Sequence, residues 1–258
     1  MAITYGSYLK VNELLSLQQP VSEGPEHDEL LFITIHQVYE LWFKQMLHEL
    51  HAVRDRLRKH ELVVVHAGLK RSLTILKTLV SQVDILETMT PLSFNSFRTR
   101  LETASGFQSV QFREIEFLLG HRSRERLGKL PPESQKKLEP MLKDDTLYDA
   151  FLFHLSQNGF SIPTHILKRD RAEAYSGDET VQEQLIEVYR HHPGLRDLCE
   201  RLVDLDEGLQ EWRYRHVKMV ERTIGAKMGT GKSAGAEYLA RTLFQPVFPD
   251  LWAIRSRL

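Results

Sequence analysis

The sequence predicts an all-α protein, a single bundle of long helices. Apolar residues recur every three or four positions along nearly the whole chain. No run of alternating apolar and polar residues and no hairpin signal is convincing. Two stretches sustain the helical period far beyond the length of a strand, which favours helix packed on helix.

The first long helix begins near His27 and Asp28, with Asp28 placed to cap its first turn. Leu31, Ile35, Val38, Trp42, Met46 and Val53 trace one stripe, interrupted only by Glu49. Phe32, His36, Tyr39, Phe43, Leu47 and Leu50 trace the adjoining one, so this helix presents a wide apolar face and is deeply buried. The short apolar run 62–65 leaves a strand open but is isolated, and the all-α reading stands. Residues 73–89 repeat the helical pattern through Leu76, Leu79, Val80, Val83 and Leu86 and stop at Pro91. Phe94, Phe97 and Leu101 indicate a short helix, and residues 107–119 another, ended by Gly120.

Residues 121–145 are polar, hold three prolines and read as a surface excursion with a short amphipathic piece. Helices of the same type resume on either side, so the chain 1–258 is read as one domain. Residues 146–158 are helical before Gly159, and residues 160–178 are irregular. In the longest regular stretch Leu195, Leu198, Leu202, Leu205, Leu209, Trp212 and His216 lie three or four apart. That helix continues to Ile224, with Gly225 as its stop. A Gly-rich segment, 229–235, precedes a last helix at 238–244 that ends near Pro246.

The formal net charge of -1 gives no global attraction to nucleic acid or membrane surfaces. The single cysteine, Cys199, excludes an intrachain disulfide. No charged-then-apolar leader and no long apolar run is found, so a soluble, cytoplasmic protein is expected.

Most of the twelve histidines sit among charges. His48 and His51 lack a third ligand nearby and are expected at the surface. His191 and His192 abut Pro193 at a helix end, where a cation suits the helix dipole. His36 and His216 differ, because each lies on the apolar stripe of a long helix. A buried imidazole needs partners for both nitrogens. Spacing alone leaves two readings open: core histidines with satisfied hydrogen bonds, or a cofactor site built between facing helices.

Residues 226–233, AKMGTGKS, satisfy a relaxed phosphate-loop pattern. Such a loop must follow a strand and open a helix, whereas a long helix leads into this one. The other readings are a mobile lid whose Thr230 hydroxyl closes over a ligand, and a plain connection.

Four segments together resemble the tryptophan 2,3-dioxygenase family. They are YGSYLKVNELLSLQQP (5–20), HDELLFITIHQVYELWFKQMLHEL (27–50), ASGFQSVQFREIEFLLG (104–120) and WRYRHVKMVERTIGAKMGTGKSAGAEYL (212–239). The resemblance runs nearly end to end and is weakest over 121–195. It implies one haem b per subunit between helices, with His216 as the proximal iron ligand and Trp212 and Gly229 near the cofactor. It implies that His36 is the distal, catalytic histidine that accepts a hydrogen bond from the substrate indole N–H. Phe32 and Phe94 would pack on the indole, Arg98 would bind the substrate carboxylate, and Thr230 its ammonium and carboxylate groups. Ser105 and Arg113 would lie near the haem, Arg113 reaching a propionate. Tyr5, Tyr8 and Leu9 would come from a neighbouring subunit of a homotetramer. The implied reaction adds dioxygen across the indole C2–C3 bond of L-tryptophan to give N-formyl-L-kynurenine, in the kynurenine pathway of tryptophan catabolism.

Family loops usually read GTGGSSG, whereas this chain has GTGKSAG, with Lys232 for a glycine and Ala234 for a serine. Lysine adopts left-handed backbone angles less readily than glycine. The departure keeps two alternatives open: a haem monooxygenase acting on tryptophan or a methylated relative to give an oxindole-type product, and a nucleotide-binding protein using 226–233.

Overall fold

The computed structural model describes residues 2–24, 26–227, 240 and 243–258. It is all-α, and no strand occurs among the described residues. Two short helices, α1 (Tyr5–Leu9) and α2 (Val11–Leu15), lead into the long α3 (His27–Arg58). Helix α4 (Leu62–Leu86) folds back on α3, followed by α5 (Pro91–Arg98) and α6 (Val110–Leu119). Shorter helices α7 (Arg124–Gly128) and α8 (Pro132–Leu138) precede α9 (Leu147–Gln157) and the single turn α10 (Thr164–Leu167). Then come α11 (Glu179–His191), the long α12 (Pro193–Ile224) and α13 (Pro249–Ala253).

The strand left open for 62–65 does not form: these residues are the first turn of α4. Only Val65 of the valine run enters the core, while Val63 is 86% exposed. Val65 starts a buried stripe at helical spacing through Leu69, Ser72, Leu76, Leu79, Val83 and Leu86, and packing on that face overrides the local β preference of valine. The helix expected at 73–89 therefore starts at Leu62. At the head of α3 the cap position is Glu26, and Asp28 with Glu29 stands in the first turn, where acidic groups suit the positive end of the dipole. The helix expected at 107–119 opens with a 3-10 turn, Gly106–Gln108, before Ser109 caps α6. Residues 121–145 carry two helices over a small apolar cluster that includes Phe117, Leu127, Leu138 and Leu142. Buried Arg122 fastens that region by donating to the carbonyls of Arg171, Met141 and Asp144. Helix α11, outside the elements read from sequence, is capped by Asp178, which accepts from the amide of Val181. The helix expected at 238–244 falls largely outside the described residues.

Cross-helix pairs fix the register. Tyr39 donates to the Leu79 carbonyl at 2.7 Å and Arg71 pairs with Glu49 at 2.7 Å, so α3 and α4 run antiparallel. That pair, with Gln45 at 2.7 Å, compensates the buried Glu49 that interrupts the apolar stripe. Lys77 pairs with Glu211, and Arg215 with Asp84 and Glu87, so α12 runs parallel to α4. His36 on α3 and His216 on α12 thereby both line one interior space, together with Val83 of α4.

The α3–α4 contact is close. A Cβ added at Gly68 would stand 2.5 Å from Cγ2 of Val53, a stiff β-branched side chain. Gly68→Ala is expected to destabilise the protein by about 1–3 kcal/mol, the usual range for overpacking, as measured by urea unfolding.

Candidate functional site

A cavity of about 260 Å³ lies between α3, α5, α6 and α12. Its walls bring together Phe32, His36, Phe94, Arg98, Ser105, Arg113, Trp212 and His216, residues scattered over most of the chain. Each wall has a local cause. His36 follows Phe32 by one helical turn, and their rings lie 4.1 Å apart. Thr90 caps α5 with Pro91 in its first turn, which sets the helix that carries Phe94 and Arg98. Ser105 caps the 3-10 turn, its Oγ accepting from the Phe107 amide at 3.3 Å. Trp212 precedes His216 by one turn on α12, and the two rings stack at 5.2 Å with an interplanar angle of 16°.

The protonation of His36 follows from one contact. Its Nδ1 lies 2.7 Å from the carbonyl oxygen of Phe32, which can only accept. Nδ1 therefore carries the proton, and in the neutral ring Nε2 is left with a lone pair. Burial holds His36 below the ordinary 6.5, against the opposing influence of the Phe32 carbonyl and Glu40, so it is neutral at physiological pH. Burial, with His36 and Arg113 nearby, pushes His216 down to about 4. Neutral imidazole is the form that ligates a metal.

Arg113 donates from Nη1 to Glu116 at 2.5 Å, and its guanidinium lies over the Phe107 ring at 4.8 Å. Its Nε is buried without a hydrogen-bond partner. Buried donors in native structures find partners, so this nitrogen fits an anionic oxygen of a bound group. Phe43, Phe112 and Tyr39 close around Trp212 with ring centroids 4.8–6.4 Å away. A neutral imidazole, an unpartnered guanidinium nitrogen and aromatic walls suit a flat, anionic, iron-bearing group such as haem, and the residues present fit it.

Sequence reasoning passed over Glu116, Arg213, Tyr39 and Phe112 as parts of this cavity. Glu116 and Arg213 are charged residues on apolar stripes, and that was their only local signal. Three expected contacts are not brought to the cavity by this chain: Tyr5 and Tyr8 on α1 are 78% and 74% exposed, and Leu9 is exposed beside them. Gly229, Thr230, Lys232 and Ala234 lie outside the described residues. The segment entering 226–233 is the end of α12, not the strand that a phosphate loop needs. His48 is exposed and His51 half-buried, and no group of three or more His, Cys, Asp or Glu side chains that could hold a metal occurs among the described residues. No described helix is long and apolar enough to cross a membrane.

Fold and cavity define an all-α protein with an interior pocket to which two long helices each contribute an imidazole. The sequence model of the family described as tryptophan 2,3-dioxygenase matches residues 1–146 and 161–258. The chain is 58% identical over its full length to a protein named tryptophan 2,3-dioxygenase from Herpetosiphon aurantiacus, covering 99% of it. It is 55% identical to the one from Anaeromyxobacter sp. (strain K), covering 97% of it, and 42% identical to the one from Bacillus cereus (strain ATCC 10987 / NRS 248), covering 93%. The chain belongs to the tryptophan 2,3-dioxygenase family.

Proposed function

We propose that this protein is a haem-dependent dioxygenase that adds both atoms of O2 across the indole C2–C3 bond of L-tryptophan to give N-formyl-L-kynurenine. The observation that carries the reading is the convergence of His36 and His216 on one cavity that Arg98 and Arg113 also line. His216 would hold a ferrous haem, with Arg113 pairing with its anionic edge, and the haem would supply the activation of dioxygen.

The chain's own residues bind and orient the substrate. The Arg98 guanidinium suits the amino-acid carboxylate, to which it donates two parallel bonds. The Nε2 of His36 accepts the indole N–H, an assignment supported by the Nδ1 contact with Phe32. Phe32 and Phe94, with centroids 5.7 Å apart, pack against the indole and exclude water. His36 holds the indole proton in a hydrogen bond and need not remove it. Ser105 borders the haem side, and Gly229 and Thr230 are assigned to the cofactor and the substrate head group by the family resemblance. Exposed Tyr5, Tyr8 and Leu9 suit packing against a neighbouring subunit of a cytoplasmic homotetramer.

The reading is tested by stoichiometry: one O2 consumed per tryptophan, with no reductant oxidised during turnover, is expected. Steady consumption of reductant with a singly oxygenated product would favour the monooxygenase alternative.

The His36 assignment has its own test. In His36→Ala, KM for tryptophan is expected to rise while the haem absorption band persists; loss of the band would contradict the distal role. In the unsubstituted protein, protonated His36 cannot accept the indole N–H. Because its pKa lies below 6.5, kcat/KM should be flat at neutral pH and fall only on acidification below that value. A decline already beginning above pH 7 would contradict it.

A further inference from the structure

Glu116 lies at the centre of a buried ionic chain of which the reaction scheme uses only Arg113. Its carboxylate is 3% exposed and serves two guanidiniums. Oε2 accepts from Arg113 Nη1 at 2.5 Å, and Oε1 accepts from Arg213 Nη2 at 2.8 Å. Burial alone would raise the Glu116 carboxyl, but Arg113 and Arg213 together bring it below the ordinary carboxylate range, so it is ionised. Arg213 sits on α12 one turn before His216. The same Nη2 lies 2.8 Å from Nδ1 of His121, whose other nitrogen is 3.3 Å from the Pro246 carbonyl. The carbonyl can only accept, so His121 carries its proton on Nε2 and accepts from Arg213 at Nδ1. Burial, with Arg213 beside it, pushes His121 down to about 4, which keeps that tautomer neutral.

One side of this chain ends on Arg113, whose Nε is the buried donor without a partner. The other side ends on the helix that bears His216. A guanidinium is a rigid planar fork, so fixing one Nη fixes where Nε points. We infer that Glu116 is a positioning residue: it ties Arg113 to α12, so that the anionic edge of the prosthetic group and its proximal ligand are held in one register. The inference rests on the haem reading, and the experiment separates the two.

Reconstituted holoenzyme is compared with Glu116→Gln and Glu116→Asp by the rate of haem transfer to excess apomyoglobin, by spectroelectrochemical potential and by circular dichroism. Glutamine keeps the shape but presents an amide N–H₂ and no charge, so it cannot hold both guanidiniums. Haem loss from Glu116→Gln is expected to accelerate roughly 10–100-fold, the usual effect of losing an outer-shell partner. The potential is expected to rise, because removing a buried negative charge disfavours the ferric state. Glu116→Asp keeps the charge but is one methylene too short to bridge both partners. It should keep the wild-type potential and lose haem faster than wild type but slower than Glu116→Gln.

A folded Glu116→Gln protein with wild-type haem loss and potential overturns the inference. If that variant does not fold, Glu116→Asp carries the test alone, and wild-type haem loss in it overturns the inference. Failure of the unsubstituted protein to bind haem would instead overturn the reading of the site on which the inference rests.

Discussion

Replacing His216 with alanine is expected to leave a folded, helical protein that has lost its haem absorption band and all dioxygenase activity. The ring projects into the cavity and stacks on Trp212, and no described residue hydrogen-bonds it. Its removal therefore deletes no strut of the core. The long-range pairs that fix α12, Lys77 with Glu211 and Arg215 with Asp84 and Glu87, are untouched. Burial pushes His216 down to about 4, so its ring is neutral at neutral pH, the form in which an imidazole ligates a metal. The checks are the Soret region of the reconstituted variant and far-UV circular dichroism. A haem band of wild-type position and intensity in His216→Ala would sink the assignment, and so would rescue of that variant's activity without imidazole-like ligands.

The second large effect is expected at Arg98. Arg98→Met keeps most of the apolar stem and removes the guanidinium fork. Two charge-assisted bonds at about 1.5–3 kcal/mol each amount to roughly 3–6 kcal/mol. At about 1.4 kcal/mol per factor of ten, kcat/KM for tryptophan should fall roughly 10²–10⁴-fold. The haem spectrum should not change, because His216, not Arg98, is the residue assigned to the iron, and the packing of Phe94 and Phe97 that seats α5 is untouched. Tryptamine separates carboxylate binding from a general loss of structure. It lacks the carboxylate, so the variant should turn it over as the wild type does, and the preference for tryptophan should disappear. An equal fall for both substrates would contradict carboxylate binding by Arg98.

Much of this architecture is legible in the sequence, for physical reasons that differ from element to element. Helices α3 and α12 announce themselves because each carries an uninterrupted apolar stripe with a histidine set into it. Both histidines line the cavity, although spacing does not separate a ligand from a core residue. The valine run at 62–65 left a strand open because its local preference is for strand, and only the packing of Val65 and Leu69 against α3 makes it helix. Helix α11 was missed because its charged face dominates a short window, while Val181, Leu185 and Val188 reveal their role only once α12 covers them. Glu116 was illegible for a deeper reason. A buried charge makes sense only beside its partner, and Arg213 is 97 residues away in sequence. Arg122 poses the same problem, since its acceptors are backbone carbonyls supplied by loops that no local pattern specifies.

Delivery of both atoms of dioxygen to the indole of tryptophan in the His36–His216 cavity is read from mass spectrometry of the product formed from L-tryptophan by the ferrous protein under ¹⁸O₂ in ordinary water. The expected product is tryptophan plus both labelled oxygen atoms, with the isotopic composition of N-formylkynurenine. A product carrying a single labelled oxygen, or none, would contradict the account.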